Sequence, residues 1–94
     1  MTVKEIQKEV VQIIHKYLGM DVNIYLFGSW ARGNANPTSD IDIAIKIPEQ
    51  DRSKFYLIRE EVDELRTLRK IDIVDLSFVS EKFEKHIFKY ALPL

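Results

Sequence analysis

Leu26-Phe27-Gly28-Ser29-Trp30-Ala31-Arg32-Gly33, then Asn34-Ala35-Asn36-Pro37-Thr38-Ser39, then Asp40-Ile41-Asp42-Ile43-Ala44-Ile45, is the stretch from which the fold is read. An apolar run ends at Gly28. The next residues predict a turn or two of helix stopped by Gly33 and a polar loop carrying Pro37. Asp40 to Ile47 alternates strictly and predicts a strand closed by Pro48. Successive strand side chains point to opposite faces, so Asp40, Asp42, Ala44 and Lys46 share one side and Ile41, Ile43, Ile45 and Ile47 the other. The isoleucine row is the buried one. Two carboxylates are left one pleat apart on the open face, where like charges raise each other's pKa unless a cation intervenes. Magnesium suits such a pair, because it takes one or two carboxylates and completes its octahedron with water and phosphate oxygens. Taken alone, an Asp-x-Asp also fits a solvated strand face.

Outward from this stretch, Ile6, Val10, Ile13, Ile14, Tyr17 and Leu18 recur at helical spacing, with Thr2 as a cap and Gly19 near the end. Val22 to Phe27 is β-branched and aromatic and predicts a strand. From about Asp51 to Leu68 an apolar stripe of Phe55, Ile58, Val62, Leu65 and Leu68 predicts a helix, with Arg69 and Lys70 at the end its dipole favours. Ile71 to Leu76 reads as a third strand. Ser80 begins a last helix carrying Phe83, Ile87, Phe88 and Ala91. The order α-β-α-β-α-β-α predicts an α/β (α+β) fold, a small mixed sheet of three or more strands with helices mainly on one face.

At 94 residues the chain is expected to form a single domain over residues 1–94, too small for a separate substrate-binding domain. Net charge is -1, so no long-range attraction to nucleic acid or acidic lipid follows, and no basic stripe with interleaved aromatics appears. There is no cysteine, which excludes a disulfide framework and a thiolate zinc site. His15 and His86 are far apart, and His15 reads as an ordinary helix residue. Charges interrupt every apolar segment, so no membrane association is expected and a cytoplasmic location is the default.

Gly28 frees the backbone for positive φ and lets a ligand approach without a Cβ in the way. Ser29 follows where unsatisfied N–H groups favour an anion such as a triphosphate tail. Gly28-Ser29, ten residues, and then Asp40-x-Asp42 resembles the signature of the polymerase-beta-like nucleotidyltransferases, above all their minimal nucleotidyltransferase domains. A third carboxylate is needed from the third strand, where Asp72 and Asp75 point to opposite faces and parity alone does not choose between them. The family pattern apolar-Asp-apolar-apolar is matched by Ile71-Asp72-Ile73-Val74, so the resemblance implies Asp72.

The resemblance further implies that Asp40, Asp42 and Asp72 are the catalytic residues and hold two Mg²⁺ ions, the two-metal arrangement for in-line displacement. Gly28 and Ser29 would bind the phosphates of the substrate, ATP. Ser39 would do likewise or serve as a turn hydroxyl. Arg32 would meet phosphate or clamp an acid, and Trp30 would stack on a base or pack against the first helix. The implied reaction is transfer of AMP to a hydroxyl, a tyrosine of a HEPN-domain toxin, by an antitoxin that pairs with that toxin or with a second copy of itself. The alternative is a non-catalytic module that neutralises its partner by docking and keeps nucleotide or metal binding. Phe88, Tyr90, Leu92 and Leu94 suit either a protein interface or a tail folded back on the sheet.

Overall fold

The acid-bearing strand sits inside the sheet, and the fold is built outward from it. The structure, a computed structural model, describes residues 1–94. Strands β1 (Asn23–Phe27), β2 (Ile41–Lys46), β3 (Ile71–Asp75) and β4 (Leu92–Pro93) form one sheet in the order β3-β2-β1-β4. β1 runs antiparallel to both β2 and β4, while β2 and β3 are parallel. A parallel pair needs a crossover, and helix α3 (Lys54–Asp63) supplies it.

Helix α1 (Val3–Leu18) starts with a reciprocal cap: Thr2 Oγ1 accepts from Glu5 N at 3.1 Å and Glu5 Oε1 accepts from Thr2 N at 2.9 Å. Its buried stripe of Ile6, Val10, Ile13 and Ile14 meets Ile58 and Val62 of α3 over the isoleucine row of β2. Ile41, Ile43 and Ile45 are wholly inaccessible to solvent, so the alternation in the sequence does separate a core row from an acid row. At the α1–α3 seam, Glu61 accepts from the Lys16 ammonium and from Tyr17 Oη. The Lys16 and Tyr17 hydrogen bonds, in that order, hold the Glu61 carboxyl below its usual pKa.

The second face is partly covered. Phe27 and Ala44 pack under Leu76 and under Ile87 of helix α4 (Glu81–Phe88), which lies over the β1 side and leaves the acid end of β2 open. Helix α2 (Ser29–Arg32) connects β1 toward β2. No helix is long and apolar enough to cross a membrane.

Two details differ from the sequence expectations, and the tail takes one of the two courses expected for it. The helix expected to reach Leu68 stops at Asp63, and Leu68 is fully exposed. The last turn tightens through Glu64 N to Glu61 O and Leu65 N to Val62 O, both at 3.1 Å. Thr67 Oγ1 then caps the Arg69 amide at 3.1 Å and turns the chain into β3. Arg69 and Lys70 therefore have no helix end to stabilise. Ala91 lies beyond α4, whose last residue is Phe88. The tail adds a short edge strand: Leu92 pairs with Leu26, Pro93 with Tyr25, and Leu94 N donates to Ile24 O at 2.9 Å. Pro93, with no N–H, is tolerated because the strand is at the edge.

Candidate active site

Register decides which carboxylates meet. Asp42 is the Cα partner of Phe27 on β1 and of Asp72 on β3, so the three side chains form a row across one face. Asp40 precedes β2 by one residue and stands one pleat away on that face. Asp75 is the Cα partner of Ile45 and points to the helix-covered face, where it is buried and accepts from Ser77 N at 2.9 Å. Asp72, not Asp75, is thus the acid brought to Asp42.

The Asp42 pKa is pushed up to about 6 from 3.8. Burial is the first cause, followed by repulsion from Asp72 and then Asp40, while Lys70 and Arg32 oppose the rise. Lys70 Nζ lies 3.8 Å from Asp72 Oδ1, an exposed and weak pairing. The carboxylates are short of positive charge.

Gly28 forms the wall behind Asp42. Its φ is +74°, and a β-carbon there would overlap Asp42 Oδ2 and stand 3.1 Å from Cγ. Only glycine lets the β1–α2 turn pass this close to the acid. The Gly28 carbonyl accepts from Ala31 N at 3.1 Å and Arg32 N at 3.0 Å, which starts α2 with Ser29 as its first residue. Gly33, in the left-handed region, ends it.

The loop from Asn34 to Ser39 is tied down by local bonds. Asn36 Oδ1 accepts from Thr38 N at 2.9 Å and Thr38 Oγ1 at 2.7 Å. Ser39 Oγ accepts from Asn36 N at 3.0 Å, so the hydroxyl is engaged in the turn while its proton and second lone pair face no protein partner. Trp30 packs against the core and gives its indole N–H to Ser39 O at 3.2 Å. Arg69 lies 5.5 Å from the Trp30 ring centroid and donates to Pro37 O. Trp30 thus packs, as one of its two expected roles has it, and in addition is the strut that steadies the residue before Asp40. Nothing local in the sequence signals a bond nine residues away, or the part Arg69 takes.

No three His, Cys, Asp or Glu side chains are arranged to hold a metal ion outright. The donor set nevertheless fits magnesium. Two or three hard oxygen ligands lack a counter-charge, and Mg²⁺ characteristically takes one or two carboxylates and fills the rest with water and substrate phosphate.

The family profile "Polymerase beta, Nucleotidyltransferase" matches residues 8–92. The chain belongs to the polymerase beta nucleotidyltransferase family. No curated protein sequence matches it. Among solved structures, this nucleotidyltransferase domain resembles a toxin–antitoxin crystallised with AMP-PNP, at 22% identity and TM-score 0.63 over 93% of this chain and 70% of that one. It resembles the toxin–antitoxin MntA-HpeT, in a mutant with two aspartates changed to glutamate, at 20% identity and TM-score 0.68 over 93% and 70%. A chain assigned as a minimal nucleotidyltransferase matches at 21% identity and TM-score 0.64 over 98% of this chain and 92% of that one. At such identities the likeness is one of fold, and it extends across nearly the whole nucleotidyltransferase chain.

Proposed function

We propose that residues 1–94 act as one Mg²⁺-dependent nucleotidyltransferase unit that moves AMP from ATP onto a hydroxyl, a tyrosine of a HEPN-type toxin, and so serve as its antitoxin in the cytoplasm. The observation that carries this reading is Asp42, a carboxyl with a pKa near 6 wedged against Gly28 and flanked by Asp72 and Asp40. Such an acid pair is costly as surface decoration and useful beside a polyphosphate. The AMP-PNP complex and the MntA-HpeT mutant, whose two altered aspartates are two positions apart like Asp40 and Asp42, support it.

Asp40, Asp42 and Asp72 would hold the Mg²⁺, which when bound supplies charge neutralisation and lowers the pKa of the acceptor hydroxyl. The acceptor oxygen forms a bond to the α-phosphorus, the bond to pyrophosphate breaks, and the hydroxyl proton passes toward Asp72. Asp42 must be ionised to bind, so its raised pKa sets a lower pH limit on the reaction. Gly28 and Ser29 receive the phosphates at the turn. Lys70 steadies Asp72 from the solvent side.

The test is to purify the chain with the protein encoded beside it and add labelled ATP and Mg²⁺. The partner should gain one AMP with the wild-type chain and none with Asp42→Asn. A stable, neutralised complex that never takes up label would instead establish the docking module.

A further inference from the structure

A small pocket opens beside the carboxylates on the side away from Asp72. Its volume is about 160 Å³, and Phe27, Gly28, Arg32, Phe83, His86, Ile87 and Tyr90 line it. Gly28 is common to the pocket and to the wall behind Asp42, and Phe27 is the Cα partner of Asp42. The pocket therefore begins one strand away from the acid.

Its lining is out of keeping with an idle surface. Ile87 is buried and seats α4 on Phe27 and Ala44. Phe83 and His86, on the same helix face, turn nearly parallel rings outward, 16° between planes and 6.4 Å between centroids. Phe83 stands edge-on to Phe27 at 6.4 Å and 84°. Phe83 is still 40% exposed and Tyr90 51%, so these rings have faces that the fold leaves uncovered. Arg32 adds a cation at the rim nearest the turn.

We propose that this pocket is the nucleobase slot of the site, an inference that rests on the nucleotidyl-transfer reading. Pockets that enclose a whole drug-sized ligand run from roughly 300 Å³ upward. This one has room for a single planar heterocycle, with sugar and phosphates left to run out past Gly28 and Arg32 toward Asp42. Every base has a π-face, so a wall of rings holds a base without reading its edge. The slot accordingly favours purines over pyrimidines by stacking area and discriminates little between adenine and guanine.

The test compares binding of Mg·ATP and of Mg·tripolyphosphate, which has no base, to the full chain and to two variants. Phe83→Leu removes the ring and keeps apolar bulk for α4; Phe83→Trp restores a ring. Phe83→Leu should weaken ATP about 5- to 100-fold, leave tripolyphosphate unchanged, and be reversed by the tryptophan. Unchanged ATP binding by Phe83→Leu, or equal loss of both ligands, overturns the slot while the nucleotidyl-transfer reading stands. Unchanged ATP binding with a raised KM for the acceptor gives the pocket to the acceptor's own ring and likewise overturns it. A wild-type chain that binds neither ligand removes the nucleotide reading and the slot together.

Discussion

Asp42 and Asp72 stand opposite each other in the parallel β2–β3 ladder, and neither has a cation close enough to neutralise it fully. Folded Asp42 titrates near 6 against an ordinary 3.8, so between those values the folded state holds the extra proton and stability falls as pH rises. Above that window the penalty is complete, on the order of 1 kcal/mol once discounted for solvent exposure. Asp42→Asn should therefore melt several degrees higher than wild type at about pH 8 and alike at about pH 3. Mg²⁺ should raise the wild-type melting temperature and leave the variant's unchanged. Thermal melts with and without Mg²⁺ check both.

Transfer should have an acid limb near pH 6, set by ionisation of Asp42. With Mg²⁺ bound, the limb should move lower, because a cation favours the carboxylate. A rate–pH profile at limiting and saturating Mg²⁺ measures the displacement.

Asp72 and Asp75 separate function from stability. Asp72→Asn should cut transfer by about 10²-fold or more with little change in melting temperature. Asp75→Ala removes the buried acceptor of Ser77 N, which should cost about 1–3 kcal/mol, while transfer per folded molecule persists. Denaturant curves beside activity assays distinguish them.

Gly28→Ala strains a positive-φ position and drives a methyl into Asp42. A stability loss of about 1–3 kcal/mol and loss of Mg·ATP binding are expected together. Calorimetry on the folded fraction shows whether binding is lost beyond what unfolding explains.

Trp30→Phe keeps the packed ring and deletes the bond to Ser39 O. Stability should fall by about 1 kcal/mol, and transfer should fall through looser placement of Asp40. Local hydrogen exchange over residues 34–40 should speed up.

Much of this was legible in the sequence because a period of two has only two outcomes. The alternation of Ile41 to Ile47 named both the core row and the acid row. Opposite parity showed that only one of Asp72 and Asp75 could serve; the family pattern pointed to Asp72, and the physical reason is the β2–β3 register, a relation between strands that neither strand carries. The helix overrun to Leu68 came from a periodic apolar pattern that continues past the point where Thr67 captures the backbone. The tail had two readings, an interface or a return to the sheet, because two residues ending in a proline carry no periodicity that would choose the edge strand at Leu92. Ser39 had two readings because a hydroxyl's partner depends on how the loop closes.

The isoleucine row and Asp42 belong to the same six-residue strand, which has a bearing on how this molecule can change. The loop from Asn34 to Ser39 can gain or lose residues at a modest entropic cost. One residue added or removed within Ile41–Lys46, by contrast, would break the alternation that keeps Asp42 on the open face and the isoleucines in the core. Length variation in descendants of this chain should therefore collect on either side of β2 and spare the strand itself.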